Sequence, residues 1–189
     1  MDFDNKMHKL TKNFQSYFLP ICLILILSFS RLIPHPSNFT PMLAVGVFSG
    51  FYFRNFLLGA LIVISSMFFG DLYLGFHDKM FFTYISLAIA VALGLLIKRL
   101  KFTEILFSGL ASAVCFFIIT NFGAWLTLEM YEKNFSGLLQ SYVLAIPFFH
   151  NTLISTFLYL ILLKLLFDFT IRKKIIKTFI KTNAVKPIQ

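Results

Sequence analysis

The side chains that could do chemistry in this chain fall in four short stretches, each at the edge of an apolar run. The first reads Arg31-Leu-Ile-Pro34-His35-Pro36-Ser37-Asn38-Phe39-Thr40-Pro41. Its prolines keep the backbone, and the residues before them, out of helix, which predicts a stiff, structured loop. The planar fork of Arg31 suits a carboxylate or phosphate, and His35 and Asn38 add hydrogen-bond donors and acceptors. The alternative is that Arg31 anchors a helix end at lipid headgroups while the others brace the loop.

The second stretch holds Gly70-Asp71 and then Gly75-Phe76-His77-Asp78-Lys79. Asp71 lies about 9 Å inward of His77 along a helix. A carboxylate that deep in an apolar run needs a cation, a backbone donor, a ligand or water, and a structural pair with Arg31 is one solution. Asp78 and Lys79 read as loop charges. In the third stretch, Asn121 and Trp125 stand at i, i+4, an aromatic wall above an amide that suits a planar polar ligand. Tryptophan is also enriched at membrane interfaces. The fourth is Pro147-Phe-Phe-His150-Asn151-Thr152 with Ser155. There His150 and Asn151 either complete a pocket, or Asn151 bonds Asn121 and ties two helices together.

Arg31, His35, Asn38, Asp71, His77, Asn121, Trp125, His150 and Asn151 are thus the expected substrate-binding set. Catalysis is not expected, because the spacings of Asp71, His77 and His150 match no catalytic or metal-binding motif. Cys22 and Cys115 sit inside apolar runs, without metal-site or disulfide spacing. No glycine-rich phosphate loop is present, so no cofactor is expected.

The elements that must position these groups are membrane helices. Of 189 residues, 58% are hydrophobic and 13% charged, with mean hydropathy +0.82, more apolar surface than a soluble domain of this size can cover. Apolar runs of near-spanning length extend from Tyr17 to Leu32, Pro41 to Phe53, Phe56 to Phe76, Met80 to Ile97, Thr103 to Leu128 and Leu144 to Phe169. The second is short, either tilted and sheltered by partners or re-entrant. Charge decides between these. If all six cross, one face holds only Arg31, Lys79 and Lys133 of the 17 lysines and arginines, and the positive-inside rule puts both termini in the cytoplasm. A re-entrant second run would place Lys98, Arg99 and Lys101 outside.

The net charge of +9 therefore orients the chain in a bacterial cytoplasmic membrane and does not point to nucleic acid. A cleaved signal peptide ending near Ser28-Phe29-Ser30 is a rival for the first run, but the residues after the cut give no polar mature start. Residues 171–189 form a basic tail whose Ile171, Ile175, Ile176, Phe179 and Ile180 share one helical face, suited to the anionic leaflet. Gly46 with Gly50, Ala88 with Ala92, Ala90 with Gly94, and Gly109 with Ala113 mark close helix seams. The fold class expected is all-α, a six-helix transmembrane bundle over residues 1–170.

The loop Arg31-Leu-Ile-Pro-His35-Pro-x-Asn38-Phe-Thr-Pro41, with Gly70-Asp71, Gly75-Phe76, Asn121-Phe-Gly with Trp125, and Pro147-Phe-Phe-x-Asn151, resembles the pattern of a family of small bacterial membrane proteins of unknown function. In size, six spans and polar loops on the outer side, the chain is also similar to the S components of energy-coupling-factor (ECF) transporters. That resemblance implies an S-component-like outer pocket for a vitamin or similar nutrient. It also implies two partners, a transmembrane coupling subunit and a pair of cytoplasmic ATPases. Ser16 to Leu27 lacks the alanine-x-x-x-alanine docking surface of many S components. The other class that the spans fit is a structural scaffold similar to the rod-shape-determining membrane proteins.

Overall fold

The computed structural model describes residues 22–184, with side chains over 22–169. The residues of the first apolar run before Cys22 lie outside that range, as does the side-chain face proposed for the basic tail. Seven helices and no strands are found among the described residues. They are α1 (22–30), α2 (Met42–Phe53), α3 (Phe56–Leu74), α4 (Met80–Leu95), α5 (Phe102–Thr127), α6 (Phe135–Val143) and α7 (Ile146–Ala184). Three are long and apolar enough to cross a membrane: α3, α5 and residues Ile146–Phe169 of α7. Many large apolar side chains on them face outward, as Leu61, Phe107 and Leu158 do, the pattern of a bundle solvated by lipid.

Helix α2 has 12 residues, about 18 Å of helix. It can be this short because it is the centre of the bundle, with α3, α4, α5 and α7 all packed on it. Met42 through Val47, Ser49 and Gly50 are buried, so apolar character runs all round the helix with no polar face. Its tightest neighbour is α4. A Cβ on Gly94 would strike the carbonyl oxygen of Val47, one on Gly50 the carbonyl oxygen of Val91, and one on Gly46 would come within 3.1 Å of the Ala90 Cβ. Backbone meets backbone along this seam, and only glycine allows it. Gly109 of α5 makes room for a side chain instead, since a Cβ there would lie 2.5 Å from Leu160 Cδ1 of α7.

The helices alternate in direction. At one end of the bundle, Arg54 donates to Leu95 O (3.0 Å), while Glu104 accepts from the backbone N–H groups of Lys98 (3.0 Å) and Arg99 (3.1 Å). Lys164, buried within α7, pairs there with Asp168 at 2.6 Å and lies over the Phe102 ring. The other end carries the 31–41 loop, the 75–79 loop and α6. Helix α6 was not expected. Asn134 caps it by accepting from Gly137 N (2.9 Å), and Ser141 on its inner side donates to Asn121 O (3.2 Å). Helix α7 is continuous for 39 residues, with no break between the predicted last span and the tail.

Candidate functional site

The polar groups of the second end surround a cavity of about 700 Å³, within the size range of small-molecule sites. Its walls come from the 31–41 loop, α2, α3, the 75–79 loop, α4, α5, the 128–131 turn and α7. On α5 the facing stripe is Phe117, Thr120, Asn121 and Ala124, spaced as one helical face must be, and Leu128 just past its end continues the wall. On α7 it is Phe148, Phe149, Thr152 and Ser155. The Phe117 and Phe149 rings are tilted against each other at 4.7 Å, an aromatic wall between the two helices.

Of the nine expected residues, Arg31, His35, Asn38, His77 and Asn121 line this cavity, and Asp71, Trp125, His150 and Asn151 do not. Asp71 is 1% exposed and sits behind the wall. One of its oxygens accepts from Arg31 at 2.7 Å, the other from the Tyr84 hydroxyl at 2.8 Å. Arg31 also donates to Met67 O at 2.8 Å, and its guanidinium occupies the space that a Cβ on Gly70 would need. The Gly70-Asp71 pair is therefore a berth for Arg31: the glycine makes room and the acid supplies the counter-charge.

Trp125 is turned toward the 128–134 turn and away from the wall that Asn121 lines. Its indole N–H donates to Glu132 O at 2.9 Å. Lys133 donates to Trp125 O and Leu128 O, capping the carbonyl end of α5 with a positive charge, as the helix dipole favours. His150 is exposed, its Nδ1 lying 3.0 Å from Ile146 O. Asn151 donates to Ser37 O at 3.0 Å, so it ties the proline loop to α7 and makes no bond to Asn121, whose amide donates to Phe117 O at 2.7 Å.

The loop itself is stiff, for a reason only partly in its prolines. Phe39 N–H closes a turn onto Pro36 O at 2.9 Å, with Asn38 at φ 63°, a left-handed conformation that asparagine tolerates better than most residues. Ser155 reaches Asn38 O at 3.5 Å and the Phe39 ring packs edge-on against Tyr159. His77 Nδ1 is a buried polar atom with no hydrogen-bond partner. Burial lowers the pKa of this histidine, Asp71 opposes the shift, and Lys79 and Arg31 add to it.

Lys79, Thr83 and Thr120 are wall residues that sequence reasoning passed over. Lys79 looks like a loop charge until α4 is seen to begin just after it, which places it on the cavity wall. No group of three or more His, Cys, Asp or Glu among the described residues is placed to hold a metal ion.

Fold and site together define an apolar, all-helical protein with helices able to cross a membrane and a polar-walled cavity at one end of the bundle. A family model described as a family of unknown function (DUF6580) matches residues 11–178, and the chain belongs to that family. No curated protein and no solved structure matches it.

Proposed function

We propose that this protein is a membrane-embedded capture subunit for uptake of a small nutrient. In this reading it crosses the cytoplasmic membrane six times with both termini inside, and the cavity opens to the outer face. A transmembrane coupling subunit and an ATPase pair would drive release. The cavity carries the proposal. Some 700 Å³ at one end of the bundle is walled about equally by polar residues and by apolar ones, four of them phenylalanines. A cavity of this size that combines apolar surface with placed polar groups is what a small-molecule site needs. The alternation of helix direction, and the gathering of Arg54, Lys98 and Arg99 at the opposite end, support the six crossings and the orientation.

A second reading, a structural scaffold, is favoured by Asp71 and Asn151, whose hydrogen bonds brace the bundle and its loop. A thermal-shift screen of the detergent-purified protein against vitamins and their precursors separates the two. A ligand of the folded state present at one hundred times its Kd stabilises by about 2.7 kcal/mol. Capture predicts such a shift, lost in Asn121→Ala. That variant itself gives up only a bond within its own helix, so it should melt close to the parent. A protein that melts cooperatively yet shifts with no compound supports the scaffold.

A further inference from the structure

Among the described residues, every charged or imidazole side chain on the cavity wall is basic. Arg31, Lys79, His35 and His77 line it, and no aspartate or glutamate does. The acids of that end are placed elsewhere: Asp71 is engaged by Arg31 and Tyr84, Glu132 accepts from Asn134, and Asp78 and Glu129 are exposed and off the wall. Arg31 is thereby neutralised. The Lys79 ammonium has no hydrogen bond or ion pair among the described residues, so this wall residue carries one uncompensated positive charge. Lys79 also stands at the start of α4, a 16-residue helix with no acid in its first turn and no side-chain cap, so the helix dipole adds to the same potential. Two residues before Lys79, His77 lines the same wall. Phe116, Phe117, Phe148 and Phe149 offer only apolar surface.

We infer that the cavity is built for an anionic ligand: one carboxylate or phosphate lies against Lys79 and His77, and an apolar or aromatic body packs between α5 and α7. This rests on the capture reading and names its substrate class. The same oxyanion could belong to a soluble acid or to a lipid headgroup, and the test keeps the two apart.

The full chain is placed in phosphatidylcholine nanodiscs and titrated with matched pairs that differ in charge: nicotinate and nicotinamide, pantothenate and panthenol, biotin and biotinamide. Trp125, the only tryptophan, sits between the wall residues Ala124 and Leu128 in sequence and serves as the fluorescent reporter, beside the shift in Tm. At least one acid should bind, at least tenfold more tightly than its neutral partner. Lys79→Gln should cost that acid about tenfold, the worth of a charge-assisted hydrogen bond, while Lys98→Gln at the opposite end costs nothing. Equal binding of acid and neutral partner overturns the anionic inference and leaves capture standing. A response to phosphatidylglycerol nanodiscs, lost in Lys79→Gln, with none to the soluble acids, upholds the oxyanion site and assigns it to lipid. Silence from every acid and from phosphatidylglycerol overturns the inference, and silence from the neutral partners as well overturns capture with it.

Discussion

Replacing Asp71 by alanine should destabilise the protein without touching a ligand. The carboxylate is 1% exposed and holds two hydrogen bonds, one charge-assisted from Arg31 and one neutral from Tyr84. The first is worth about 1.5–3 kcal/mol and the second about 1 kcal/mol. Their loss also strands the Arg31 side chain, only 12% exposed, without its counter-ion, and breaking a buried pair costs about 3–5 kcal/mol. By the scaling for chains of this size, about 3 °C per kcal/mol, Tm should fall by about 10 °C.

Tyr84→Phe should cost about 1 kcal/mol. The pairing Arg31→Met with Asp71→Leu should recover much of the loss, because it removes both charges at once. Reversible unfolding in mixed micelles, read by far-ultraviolet circular dichroism for the parent, Arg31→Met, Asp71→Leu and the double variant, closes the cycle. If Asp71→Ala unfolds like the parent, or if the double variant is no more stable than the single, the ion pair is not what holds α1 to α3. If Asp71→Ala instead keeps its stability and loses ligand, the carboxylate belongs to the binding set after all.

Gly94→Ala should be among the most damaging single changes available. Its Cβ meets the carbonyl oxygen of Val47, which is backbone and cannot rotate away, so the cost should exceed the usual 1–3 kcal/mol (about) of overpacking, seen as loss of folded protein after detergent extraction. His77 sets a pH dependence. Burial holds its ring neutral in the fold, whereas the unfolded chain takes up a proton below about 6.5, so its contribution is complete above that pH and is lost as the pH falls through the lowered folded value. The ligand-free Tm should therefore drop between pH 7 and pH 5, and His77→Gln should flatten the profile.

Much of this architecture is legible in the residues. Composition predicts helices and lipid, and the spacing of Gly46 with Gly50 and of Ala90 with Gly94 predicts close seams; the α2–α4 crossing joins those two pairs. Arg31 and Asp71 are visible as possible partners from their depth and sign. What is not legible is rotation about a helix axis. On α7 the inward stripe is Phe148, Phe149, Thr152 and Ser155, while the more polar His150 and Asn151 lie to the side. Polarity draws the eye to a residue, but only packing against neighbouring helices fixes which face turns inward. Trp125 fails for a similar reason, since an i, i+4 spacing leaves an offset of about 40° that is enough to send the indole to Glu132 O. Helix α6 is readable in principle. Asn134 stands three residues before Gly137, and Phe135, Leu139 and Val143 recur every four residues on a stretch too short to span.

The proline loop has one property that its individual bonds do not express. At its start Arg31 is pinned to α3, and further along Ser37 and Asn38 are pinned to α7. Those two helices each pack on α2. The loop is accordingly a tie-beam across the mouth of the cavity, and the separation of α3 from α7 at that end is limited by the length of seven residues of stiff chain. Lengthening the loop with glycine would free the mouth without altering any residue of the wall.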